Sequence, residues 1–307
     1  MLASFNQPIL SIVSPTIGNF SEYWLQQLLS VQGNVEFILV YPPGTTAAFI
    51  ADPRVKILYS LYKGETPQRA FGLMNATGQY ILALDDDDFV HPDVVSLTLE
   101  YFEKFPQSWM LRLFKEKIDY LDEEKIKRPW QQLPSLEQFR IARKREDSYQ
   151  DLIEVPIAPL ENHFDIKVAL WPYAKRKDIH GSHVEPFNNT IWKSPAVKEA
   201  LTEMFQGTRM AELLTWLPLW GLDRAIGLYI QAKFFQTGAC IGHWMPEPGQ
   251  IRYIVRPYSL KTVRLLVLVE MLLVKQFPQY GYFWNLFFEE FYNGVKIKIR
   301  QIFKKLN

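Results

Sequence analysis

Four apolar segments punctuate the first hundred residues, and helix-like stretches separate them. Ile9–Val13 ends at Ser14-Pro15-Thr16; Val35–Tyr41 is stopped by Pro42-Pro43-Gly44; Val55–Tyr59 is short; Tyr80–Leu84 runs straight into four aspartates, Asp85–Asp88. Near-continuous apolar runs of this length read as strands buried on both faces. Between them, Ser21 caps a helix with Trp24, Leu25, Leu28 and Leu29 at helical spacing. Pro67–Ala76 reads as a second helix ending near Gly78, and His91-Pro92-Asp93 opens a third over Val94–Phe105. Strand–helix alternation of this kind predicts right-handed βαβ units and a mostly parallel α/β sheet flanked by helices. Ligands bind such sheets beyond the carboxyl ends of the strands. Three strand-end loops converge there: Ser14-Pro15-Thr16, Tyr41-Pro42-Pro43-Gly44 and Asp85–Asp88.

The acid run demands a partner. Adjacent carboxylates repel, and burying one unpaired is costly. Taken alone, the run also fits a solvated turn that caps the following helix. The rest of the chain supplies no global field: 34 Lys+Arg against 33 Asp+Glu leaves a formal charge of +1, so electrostatic function is local and no nucleic-acid partner is implied. The single cysteine, Cys240, excludes an intramolecular disulfide and fits a reducing compartment. The N-terminus lacks a basic n-region and a long apolar core, so no signal peptide is expected. Leu265–Val274 (LLVLVEMLLV) is too short to span a bilayer.

Downstream the pattern is less regular. Lys115–Asp151 is highly charged and reads as exposed helices and loops. Helices are expected over Pro195–Gln206 and Leu213–Phe235, and a loop at Pro246, Pro248 and Gly249.

Particular motifs resemble family-2-type inverting glycosyltransferases, which have the GT-A fold. ILSIVSPTIGN is similar to the family's opening strand and loop, and QRAFGLMNATGQYILALDDDD to its Arg-containing helix and Asp-x-Asp stretch, in order and spacing. Gly221-Leu222-Asp223 resembles the segment that carries the family's acidic pair. The likeness is good over about residues 8–105 and weaker over roughly 180–255. It implies a GT-A-like domain over 1–258 (8–105 nucleotide-binding, 106–258 acceptor half) and a helical, aromatic and basic C-terminal extension over 259–307.

The resemblance implies transfer of a sugar from a nucleoside diphosphate sugar to a hydroxyl acceptor on a sugar, a lipid-linked carrier or a protein, with a divalent metal, Mn²⁺ or Mg²⁺. Hard cations take carboxylate oxygens, and period-two spacing puts Asp85 and Asp87 on one side. These two are the expected metal ligands, with His243 as a further contact. Asp85 and Asp86, with Pro15, Thr16, Tyr41 and Arg69, are expected around the nucleotide sugar, Tyr41 as a stacking ring. Asp223 is the expected general base; its other reading is a capping or Arg224-paired aspartate. Gly221 and Gly227 bracket it and permit close approach. His180 and His183 flank a glycine and are candidates for acceptor or phosphate contact. The chain departs from the pattern at Tyr41-Pro42-Pro43, where the family has nucleobase acids, at Ala70, where it has Asn, and at Leu222, where it has the first acid of the pair.

Two rival readings stand beside this one. A nucleotidyltransferase also uses strand-end acids, but its Gly-rich phosphate loop is missing after the first strand. A binding or scaffold protein would use the same fold without turnover. The expected location is cytoplasmic. The tail FWNLFFEEFYNGVKIKIRQIFKKLN sets aromatics before five cations. That order suits peripheral contact at the inner face of a membrane, a helix packed on the domain, or a dimer contact.

Overall fold

A computed structural model of the chain describes residues 7–143, 150–171, 174–178, 183–206, 214–217, 219–256 and 267–306. Strands β1 (Leu10–Pro15), β2 (Val35–Tyr41), β3 (Val55–Tyr59) and β4 (Tyr80–Ala83) form where the apolar runs predict them. They pair in parallel in the order β3-β2-β1-β4. Side chains alternate between faces with period two. Ile12, Phe37, Leu39 and Leu82 join α1 (Glu22–Leu29) and α3 (Val94–Lys104) in one core. Val13, Ile38, Val40, Ile81 and Ala83 join α2 (Glu65–Asn75) in the other. Ser21 caps α1 as expected, accepting from the Trp24 amide at 3.0 Å.

Glycines set how closely α2 approaches. A Cβ on Gly72 would lie 2.4 Å from Val13 Cγ1 and 2.7 Å from Val40 Cγ2. The helix therefore lies tight against the sheet, which places Arg69, one turn earlier, over the strand ends. Gly78 is not the helix stop that its position suggests, because α2 is capped by Ala76. A Cβ on Gly78 would instead meet Ser11 Oγ at 2.6 Å and Ser11 N at 2.7 Å.

Beyond β4 the sheet is mixed. It continues through β10 (Thr190–Lys193), β6 (Met110–Arg112), β11 (Cys240–Trp244), β9 (Leu152–Pro156) and β8 (Ile141–Ala142), making nine strands. β10 runs antiparallel to both β4 and β6. A second, three-stranded sheet joins β5 (Phe89–Val90), β12 (Ile251–Val255) and β7 (Lys115–Asp119). β7 corrects the expectation of exposed helix or loop at the start of the charged stretch. Its sequence KEKID buries only Ile118, so hydrogen bonding to β12 rather than apolar content defines it.

Short helices α4 (Glu123–Lys127) and α5 (Ile166–Leu170) punctuate the connections. Helices α6 (Ser194–Phe205), α7 (Leu219–Lys233), α8 (Val267–Gln276) and α9 (Gly281–Leu306) follow. The C-terminal helices do not stand apart. Val269, Leu273, Tyr282, Phe283 and Leu286 belong to the core that contains α2 and α7. Arg224 on α7 also pairs with Glu185, Glu270 and Glu290, which ties α8 and α9 to the domain. No described helix is long and apolar enough to cross a membrane.

Candidate active site

The carboxyl ends of β1, β2 and β4 are tied together by side chains. Gln68 Nε2 donates to the carbonyl of Thr16 at 2.8 Å and to that of Val40. The Thr16 hydroxyl donates to Asp86 Oδ2 at 2.6 Å and accepts from the Gly18 amide at 3.0 Å. Pro15, at the end of β1, stands in register with Val40. The three expected loops therefore do converge, and Pro15, Thr16 and Asp86 meet.

Arg69 joins them to the second half of the chain. Its guanidinium is 1% exposed and lies between two carboxylates. One is Asp85, through Nη2; the other is Asp223, whose Oδ1 and Oδ2 are both 3.2 Å from Nη1. Asp223 is 2% exposed and sits inside α7, so it is neither a helix cap nor an Arg224 partner. Burial pushes its carboxyl up to about 6, against the downward pull of Arg69. The helix reaches this depth because Gly227 lets it pass the chain at Glu185: a Cβ there would be 2.2 Å from the Glu185 carbonyl oxygen.

The remaining aspartates are crowded with like charge. Burial and Asp85 together push Asp87 up to about 6, opposed by Arg256 at 3.1 Å. Asp86 is also raised by burial, against the hydrogen bond from Thr16. Asp88 is buried and raised by burial and then by Asp85; its Oδ1 accepts from the Ile254 amide at 2.9 Å. Glu36, at the opposite end of the sheet, shows the contrast. Lys56, Ser11, Thr77 and Gly78 donate to it, and its carboxyl is lowered despite burial.

Three residues of this site escaped the sequence reading. Lys115 holds its ammonium 4.5 Å from the centre of the Tyr253 ring. Burial lowers its proton affinity, while Asp88 and Asp85 raise it. Asp88, Asp85 and Asp87 act on Tyr253, and Arg256 faces Asp87. All three arrive on or beside the second sheet. For Tyr253 and Arg256 the aromatic and β-branched run of IRYIVR was the available signal; Lys115 stands in a charged stretch that gave none.

Other expected residues lie elsewhere. Tyr41 is 1% exposed and packs beneath Gly18, so it offers no free face for stacking. Tyr59, with its ring centre 6.1 Å away and 46% exposed, is the accessible aromatic at that edge. His243 does not join the aspartates. It lies on β11 against α3, with Nδ1 2.9 Å from the Tyr101 hydroxyl and its ring 4.3 Å from Phe105. His183 lines a cavity of about 460 Å³ with Arg112, Arg176, Arg224, Trp244 and Asn293. His180 falls outside the described residues.

Removing one member of a buried ion cluster leaves uncompensated charge, at a cost of about 3–5 kcal/mol. Arg69→Ala is therefore expected to lower unfolding stability by about that much at neutral pH in a urea titration, and Asp223→Asn in the same chain to restore part of it. Additive losses from the two substitutions would show that the contact contributes nothing.

Residues 45–157 match the model of "Glycosyl transferase family 2". An uncharacterised glycosyltransferase of Rickettsia conorii is 26% identical over 108 residues, a stretch that is 32% of this chain and 18% of the relative. Among solved structures, residues 1–349 of S. aureus TarS in complex with UDP align with a TM-score of 0.52 at 12% identity, over 88% of this chain and 66% of that one. S. aureus TarS in a longer form aligns at 0.50 and 11%, over 87% and 39%. The chain thus spans less than a fifth of the curated relative and about two thirds of the shorter TarS structure. At these identities the structures speak for the fold alone, and it is the expected one. The match over residues 45–157 and the named relative make part of this chain similar to glycosyl transferase family 2, and the fold is the GT-A-like one that the motifs lead one to expect.

Proposed function

We propose that the chain transfers a sugar from a nucleoside diphosphate sugar to a hydroxyl acceptor, with inversion at the anomeric carbon and with Mg²⁺ or Mn²⁺ on the acid run. The observation that carries this reading is the Arg69 bridge, which sets a strand-end aspartate and an interior helix aspartate on one guanidinium. The acid run fits a divalent cation. Asp85 and Asp87 keep 37% and 32% of their side chains exposed, and like charge and burial raise three of the four carboxyls. When bound, the cation would neutralise charge developing on the departing diphosphate.

The residues then divide the work. Asp85 and Asp87 hold the metal. Asp86 and Thr16 shape the donor loop, and Tyr59 stacks on the base. TarS, similar in fold, was solved with UDP, which supports a nucleoside diphosphate here. Asp223 accepts the acceptor's hydroxyl proton as that oxygen attacks the anomeric carbon and the bond to the diphosphate breaks. Arg69 keeps its carboxylate oriented. Its raised proton affinity suits a base working near neutrality. The cavity around His183 and Trp244, beside Arg224, takes the acceptor.

The sign of the pH dependence follows. A base must be unprotonated, so turnover of the donor should rise as pH passes through about 6 and level off above it. Asp223→Asn should lose that limb and about 10²–10⁴-fold in rate. A variant that keeps both rate and inflection would leave Asp223 as a positioning residue for Arg69.

We place α9 at an anionic membrane surface. Phe291, Val295, Ile299 and Phe303 recur every four residues and are exposed. Lys296, Lys298, Arg300, Lys304 and Lys305 follow Glu290 with no further acid. Each basic residue near such a surface contributes about 1 kcal/mol. Flotation with phosphatidylglycerol vesicles should carry the full chain upward and leave a Phe291→Ser/Val295→Ser/Ile299→Ser/Phe303→Ser variant behind. Equal recovery of both in the unbound fraction would end the idea.

A further inference from the structure

His243 has its own company on the far side of the sheet from α2. Glu154 of β9 is its direct partner across the antiparallel register. Cys240 lies three residues earlier on β11, and a regular strand would aim it at the opposite face. The register shift between Cys240 and Gly242 changes that, as bulges do. Gly242 is required at this step, since a Cβ there would sit 1.9 Å from the Met110 carbonyl oxygen. A ligating atom from each of Glu154, Cys240 and His243 lies within 4.8 Å of the other two.

We propose that Glu154, Cys240 and His243 form a site for a thiophilic divalent transition-metal ion such as Zn²⁺, separate from the acid run. The donor set selects the ion. Thiolate, imidazole and carboxylate suit zinc and its neighbours, whereas Mg²⁺ and Mn²⁺ prefer all-oxygen surroundings. Three protein ligands leave a fourth position for water.

The histidine is prepared for this role. The Tyr101 hydroxyl donates to the Met110 carbonyl at 3.1 Å, so its oxygen is left to accept from Nδ1–H of His243 at 2.9 Å. That tautomer presents the Nε2 lone pair, and a fixed partner on the other ring nitrogen is the usual support for a ligating histidine. Cys240 is exposed and Glu154 half-buried, so an ion reaches them from solvent. A tetrahedral ion holds its ligands at about 2.0–2.3 Å, which draws them to about 3.5 Å from one another. Rotation of the two accessible side chains covers that distance. The Cys240 thiol now donates to the Gly242 carbonyl at 3.0 Å; on binding, that proton passes to solvent as the sulfur–metal bond forms.

Cobalt(II) titration of the metal-free full chain tests this, because a cobalt–thiolate bond has a near-ultraviolet charge-transfer band. One equivalent should produce the band in wild type, and Zn²⁺ should displace it. Cys240→Ser should abolish the band, Glu154→Gln should weaken binding, and Tyr101→Phe should weaken it about 10–100-fold with the band retained. Asp87→Ala should leave all of this unchanged. No band in wild type, a band that survives Cys240→Ser, or binding lost with Asp87→Ala would overturn the proposal. Only this last outcome would move the ion to the carboxylates of the proposed donor site.

Discussion

The site depends on one buried cation. Desolvating a guanidinium is expensive, and attraction offsets it only where the geometry is good and opposite charge is at hand. Arg69 meets that condition with Asp85 on one side and Asp223 on the other. These two aspartates are 138 residues apart in sequence, so neither half of the chain can hold the arginine in this way alone. Backbone packing fixes where the arginine stands. Gly72 lets α2 press onto Val13 and Val40, and Gly227 lets α7 pass the Glu185 carbonyl. Two glycines without a special φ thereby set the distance between three charges.

The two ends of the sheet handle buried acid differently. At the amino end, Glu36 is satisfied by several donors and its carboxyl stays acidic. At the carboxyl end, buried Arg69, Lys115 and the more exposed Arg256 face four aspartates, and three of those carboxyls are still pushed up. An arrangement that is complete by itself resembles the first. The second is what a chain keeps where further positive charge arrives with a ligand, and this imbalance, more than the motif, argues for a metal and a diphosphate.

The first half of the fold was legible because parallel strands buried on both faces must be largely apolar, and β1, β2 and β4 are, with Ser11, Ser14 and Glu36 as the buried polar exceptions. Ser21 marked α1 because its hydroxyl had one use. The second half was not legible for physical reasons. β6 has three residues and β10 four, too few to show a period. β7 is held by hydrogen bonds that its charged sequence does not advertise. Residue type alone also fails to say which way a side chain faces. Tyr41 and His243 carry suitable chemistry, but strand register turns one under Gly18 and the other onto α3. Arg69 and Asp223 were each readable from their motifs. Their contact was not, because it closes across 154 residues.

The most direct measurement is calorimetric titration of UDP into the full chain, with and without Mn²⁺, alongside Asp87→Ala. If the acid run holds a metal and a diphosphate, UDP binds wild type only when Mn²⁺ is present, and the variant loses that binding. Equal binding without the metal, or Mn²⁺-dependent binding that survives Asp87→Ala, would contradict this.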